Sequence, residues 1–183
     1  MPHVALHVFD TALGPCGIAW NELGIAGIQL PERDAPATLR RLSRRFPAGE
    51  LQVPEGDVAR VMAALLDVLA GGQADLDNIV LDMRDVPAFG QRVYTVARAI
   101  PRGHTLTYGE IATRLGAASL AREVGRALGA NPFPIVVPCH RVLAASGLGG
   151  FSAHGGAATK RRLLTLEGTP GLQLAMFDSD ERH

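Results

Sequence analysis

Cys139 stands directly before His140 in Pro138-Cys139-His140-Arg141. A thiol attacks only as thiolate, and a free pKa of roughly 8.5 leaves little of it ionised at neutral pH. A neighbouring imidazole can take the proton, directly or through one water, which gives the nucleophile its own base. The competing reading is a structural cysteine, a small hydrophobe in an apolar run. The run is Asn131-Pro132-Phe133-Pro134-Ile135-Val136-Val137-Pro138. Its three prolines fix φ and push the residues before them towards extended backbone. A rigid, largely buried strand or loop is therefore expected here, holding Cys139 in one place.

The second cysteine, Cys16, enters a strand after the turn at Gly14-Pro15 and has no histidine beside it in sequence, so it reads as structural. Two cysteines make neither a disulfide framework nor a metal-ligand spacing, and both are expected as free thiols. His3, His7 and Cys16 do not form a recognisable ligand set. Neither a metal nor a cofactor is expected.

The 183 residues have room for one large or two small domains, and 47% apolar residues are enough for a core. No run approaches a membrane span, and Met1-Pro2-His3-Val4 lacks the regions of a signal peptide. A cytoplasmic monomer is expected. Net charge is zero, but it is unevenly spread. Residues 1–84 carry seven basic and eleven acidic side chains, and residues 85–183 carry eleven and seven. Phosphate attraction supplies most non-specific DNA affinity, so the basic half is the one suited to face DNA. A split of this size also occurs without any function.

An α+β fold is expected, with the boundary near residue 84. In the first half, His3–Phe9, Cys16–Trp20 and Ile25–Leu30 alternate as strands of an antiparallel three-stranded sheet. Helices are expected over Asp34–Phe46 and Asp57–Ala70, with a short extended segment at Asn78–Asp82. The first helix carries Arg40, Arg41, Arg44 and Arg45, a cluster that could meet phosphate but reads better as a solvated face. The second half, residues 85–170, reads as mainly helical, and residues 171–183 as a polar tail. A helix over Phe89–Ala99 precedes the capping box Thr107-Tyr108-Gly109-Glu110. The short helix this starts ends at Gly116, and Ser119 is positioned to cap a third helix running to about Leu128. Two short helices joined by a tight turn make a helix-turn-helix. A last helix is expected over Ala157–Glu167.

On the third helix Leu120, Val124, Ala127 and Leu128 share one face, while Arg122, Gly125, Arg126 and Gly129 share the other. Glycine inside a helix costs about 1 kcal/mol, so something must come close. That neighbour is either another helix or a DNA backbone anchored by the arginines. Glu123, beside the apolar stripe, suits pairing with a neighbouring arginine better than contact with phosphate.

The string Asn-Pro-x-Pro-Ile-Val-Val-Pro-Cys-His-Arg-Val resembles the signature of the O6-alkylguanine-DNA alkyltransferases (methylated-DNA–protein-cysteine methyltransferases). The resemblance runs from about Phe89 to Gly168 and continues more weakly through the first half. It implies direct-reversal repair of double-stranded DNA, in which an alkyl group moves from guanine O6 to Cys139, irreversibly and once per molecule. It assigns Glu167 to hold the His140 imidazole and Asn131 to tie the active-site turn to the helix-turn-helix. Tyr108 would deliver a proton to guanine N3. Arg122, in Ala121-Arg122-Glu123-Val124-Gly125, would enter the base stack in place of the flipped nucleotide, with Ala121, Gly125, Arg126 and Tyr108 also on the DNA face. Pro134, Phe151 and Ser152 would line the pocket, with Phe151 where relatives have tyrosine.

Two rivals remain at this point. A cysteine hydrolase would also use Cys and His, but needs an oxyanion hole and usually has its histidine far away in sequence. A helix-turn-helix regulator, or a lesion-recognition protein without turnover, would leave Cys-His-Arg without a purpose.

Overall fold

The computed structural model describes residues 2–172. Of the expected tail, only 171 and 172 lie within them. No helix of the described residues is long and apolar enough to cross a membrane.

Three strands open the chain: β1 (Ala5–Thr11), β2 (Gly14–Asn21) and β3 (Gly24–Gln29), each antiparallel to the next. Thr11 closes the first hairpin by donating to the Gly14 carbonyl at 2.7 Å. The second turns at Gly24, whose φ of +133° excludes most side chains and where a Cβ would lie 2.6 Å from the Val80 carbonyl. A fourth strand, β4 (Glu50–Leu51), lies parallel to β1, so the sheet is mixed, in the order β3-β2-β1-β4. It extends the expected three strands by two residues, too few to leave a periodic signal. The extended segment expected at Asn78–Asp82 makes a single bridge, Leu81 to Ile25.

Alternation along β2 sorts the two sheet faces. Ala19 joins Leu6 beneath Leu42 of α1 (Ala35–Arg45), while Cys16 and Ile18 point into the main core. Asp34 caps α1 by accepting from the Ala37 amide at 2.7 Å. The main core takes Leu65 and Leu69 from α2 (Gly56–Leu69), then Val93, Tyr94 and Ala97 from α3 (Ala88–Arg98). It continues to Phe133, Val137 and Leu163, so one apolar cluster crosses residue 84.

The helix-turn-helix consists of α4 (Tyr108–Arg114) and α5 (Ala121–Gly129). The Thr107–Glu110 capping box is formed in both directions. Ser119 does not cap α5. It lies in a 3₁₀ turn, Ala118–Leu120, which fills the space between the helices and leaves α5 without a side-chain cap. A two-residue parallel pair, β5 (Leu106–Thr107) with β6 (Val142–Leu143), fastens the start of this motif to the segment just after Cys139. The chain then reaches α6 (Gly156–Leu166).

Candidate active site

Residues 131–138 form a tight loop rather than a strand. The Asn131 amide donates to the Val137 carbonyl at 2.8 Å, while its oxygen accepts from the Phe133 backbone at 2.9 Å. Asn131 thus closes the turn on itself. Its own backbone reaches the helix-turn-helix, Asn131 N donating to Leu128 O at 3.2 Å, so the residue links the turn to α5. Phe133 and Val137 are fully buried, which anchors both arms of the loop. Ile135 sits at φ +76°, a left-handed conformation that costs a β-branched residue on the order of 1–3 kcal/mol. Packing and the Asn131 bonds hold it there.

The loop delivers Cys139 and His140 into a 3₁₀ turn, Cys139–Arg141. His140 is 1% exposed, and its Nε2 donates to Glu167 Oε1 at 2.8 Å. Its Nδ1 is buried with no partner among the described residues. Arg141 donates to the same carboxylate from Nε at 3.0 Å and Nη2 at 2.8 Å, and to the Ile100 carbonyl from Nη1 at 2.6 Å. Burial alone would push the Glu167 carboxyl up, but bonds from His140 and Arg141 override it and hold the group at about 2. Burial lowers the His140 pKa against the pull of Glu167, so the imidazole is neutral at pH 7 with Nδ1 free to accept a proton. Burial raises the Cys139 thiol, opposed by Asn131, by the Lys160 charge and by nearby backbone amides.

Lys160 is the site residue that sequence reading missed. It is 0% exposed, and its Nζ donates to the Val142 carbonyl at 2.6 Å and the Gly150 carbonyl at 3.2 Å. It lies over the Tyr108 ring at 5.8 Å. Burial lowers its pKa to about 8, with the Cys139 charge pulling the other way. A signal was available: Lys160, Leu163 and Leu164 share one helical face, and both leucines are buried. Burial, reinforced by the charge of Cys139, raises Tyr108, which therefore keeps its proton at neutral pH.

Cys139 opens onto a cavity of about 230 Å³ that also includes Asn131, Pro134, Phe151 and Ser152. Tyr108 does not line this cavity. It borders Gly149, where a Cβ would come 3.2 Å from its hydroxyl. Arg122 and Arg126 lie exposed on α5, away from the cavity, while Val124 and Leu128 are buried on the opposite face as expected. Glu123 pairs with Arg126 at 3.8 Å. A Cβ on Gly125 would meet Tyr108 at an ordinary 3.9 Å, and one on Gly129 would meet nothing within 4 Å. Packing within the protein therefore requires neither glycine. The remaining candidate ligands have local partners: His3 pairs with Glu50 at 3.0 Å, His7 Nδ1 lies 3.1 Å from the Gln52 carbonyl, and Cys16 contacts Thr11 at 3.7 Å.

Residues 88–169 match the family model described as the 6-O-methylguanine DNA methyltransferase, DNA binding domain. The methylated-DNA–protein-cysteine methyltransferase of Salmonella typhimurium is 44% identical over 161 residues, covering 86% of this chain and 92% of the relative. The protein of that name from Mycobacterium leprae is 41% identical over 171 residues, covering 92% and 96%. The crystal structure of Mycobacterium tuberculosis OGT in complex with DNA superposes with a TM-score of 0.72 at 32% identity, covering 95% of this chain and 99% of that one. Similarity at this level over nearly the full length of both relatives places the chain in the methylated-DNA–protein-cysteine methyltransferase family.

Proposed function

We propose that Cys139 is the acceptor in direct-reversal repair of O6-alkylguanine in double-stranded DNA. The observation that carries this reading is a half-buried thiol in the same 3₁₀ turn as an imidazole whose Nε2 is committed to Glu167 and whose Nδ1 has no partner among the described residues. His140 takes the thiol proton through Nδ1, directly or by way of a water, and Glu167 stabilises the imidazolium that forms. The thiolate attacks the alkyl carbon, the carbon–O6 bond breaks, and its electron pair passes to the guanine. Tyr108, protonated at neutral pH, gives its proton to N3 so that the base leaves neutral. Sulfur keeps the alkyl group as a thioether, and each molecule acts once. The step uses only side chains of the protein.

A guanine inside the duplex is out of reach, so the nucleotide is flipped into the pocket, with Pro134, Phe151 and Ser152 against it. Arg122 fills the space in the stack, and Ala121, Gly125 and Arg126 meet the strand beside it. The two helical glycines support this reading, since no protein neighbour needs them. Residues 1–84 serve as the frame and residues 85–170 as the reacting unit of a monomer in the cytoplasm. Incubation with a duplex containing O6-methylguanine, followed by intact-protein and peptide mass measurement, should find one added methyl group on Cys139. A methyl group elsewhere, or none, would overturn the assignment.

A further inference from the structure

The cavity at Cys139 continues beyond the groups that would hold a guanine. Its far wall comes from the first half of the chain: Gln29 and Leu30 at the end of β3, and Arg41 and Arg45 on α1. Arg45 is held by the Ile28 carbonyl at 3.4 Å, the Pro132 carbonyl at 3.5 Å and the Phe46 ring at 5.2 Å. Partial desolvation, and secondarily the like charge of Arg41, lower its pKa. Arg41 also lines a second crease, of about 260 Å³, with Arg33, Arg40, Arg44, His154 and Glu32. Among the described residues Glu32 is the only acid in that lining and sits 3.4 Å from Arg41, while Arg33 pairs with Asp34 at 3.2 Å. The Cys139 cavity itself is lined by Arg41 and Arg45 and, among the described residues, by no acid, so its far end is positive.

A reacting alkyl carbon must sit at the Cys139 sulfur. With the base against Pro134, Phe151 and Ser152, any longer substituent runs on through the same cavity towards Arg41. We infer that this basic end is a subsite for the alkyl tail, and that Arg41, supported by Arg45, favours O6-alkyl groups ending in a carboxylate. The inference rests on Cys139 being the acceptor. A methyl group is too short to sense the arginines, so the preference belongs to extended adducts alone.

The test compares two free bases, O6-benzylguanine carrying a para-carboxylate and the same base carrying a para-carboxamide, with unsubstituted O6-benzylguanine as a third, reference base. Alkylation of Cys139 is followed by intact mass against time. A partly exposed ion pair gives a roughly three- to fivefold preference for the carboxylate, shrinking at high salt. Arg41→Gln should remove the preference, and Arg41→Lys, which keeps the charge, should retain part of it. Because each variant is read as a ratio of two substrates, any general loss of activity cancels. Equal rates for the two bases with the unaltered protein would overturn the subsite, as would a preference that survives Arg41→Gln. Failure of all three bases, unsubstituted O6-benzylguanine included, would instead remove the acceptor assignment.

Discussion

Arg141 holds Glu167 by two nitrogens, Nε at 3.0 Å and Nη2 at 2.8 Å, on the same carboxylate that accepts from His140. A single buried anion thus serves a fixed cation and a titratable ring. Arg141 keeps the carboxylate ionised, and the ionised carboxylate fixes which imidazole nitrogen carries hydrogen. Arg102 holds the same helix end, donating to the Leu166 carbonyl at 2.7 Å.

This pairing sets an acid limit on stability. A carboxyl held at about 2 in the fold, against an ordinary 4.5, stabilises the protein fully above the ordinary value. That contribution is lost as pH falls from about 4.5 towards 2. Urea unfolding of the unaltered protein at a series of pH values should weaken over this window. Glu167→Gln should flatten the window and, by leaving Arg141 buried without its anion, cost about 3–5 kcal/mol at neutral pH.

Alkyl transfer should speed up as pH rises through the neutral range. Burial raises the Cys139 thiol and lowers His140, so acid both protonates the base and keeps the thiol intact. Reaction with O6-benzylguanine, measured from pH 6 to 9, should rise with pH. Cys139→Ser should abolish transfer, while Cys16→Ser, at a thiol that burial holds at about 11, should transfer normally.

Lys160→Met should slow transfer at neutral pH and shift its rise to higher pH. The substitution keeps the volume of the stem but removes the positive charge that favours the thiolate, and it strands the carbonyls of Val142 and Gly150. Titration of the thiol by its reaction with a small alkylating agent reads the shift directly. An unchanged thiol pKa would confine Lys160 to a structural role.

Arg122→Ala should leave the fold and the reaction with free O6-benzylguanine intact, and reduce repair of duplex DNA much more. Unstacking a nucleotide costs a few kcal/mol, and an inserted side chain offsets part of it. Arg126→Ala should weaken binding evenly and lower its salt dependence. Gly125→Ala should leave stability unchanged or slightly raised, since its Cβ fits at 3.9 Å from Tyr108, yet weaken binding to duplex. Equal losses on free base and duplex for Arg122→Ala would place the arginine in support of the pocket instead.

Much of this site was legible because its residues are close in sequence or follow local rules. The prolines around Cys139, the Thr107–Glu110 box and the apolar stripe of α5 are short-range patterns, and each has the expected place in the structure. What stayed hidden depends on distant partners. The two residues of β4 have no period to detect, and Ser119 lost its capping role to a 3₁₀ turn that local preference does not foresee. Lys160 shares a helical face with Leu163 and Leu164, but the carbonyls of 142 and 150 that hold it come from a separate segment.

The apolar cluster that crosses residue 84 makes the chain observable as well as stable. Trp20, the only tryptophan, packs against that cluster from β2, on which Ile18 and Phe133 also converge. Loss of that shared cluster therefore changes the surroundings of an indole more than a hundred residues before Phe133 in sequence. The protein carries a built-in optical reporter, through which the integrity of the core shared by both halves can be followed without a label.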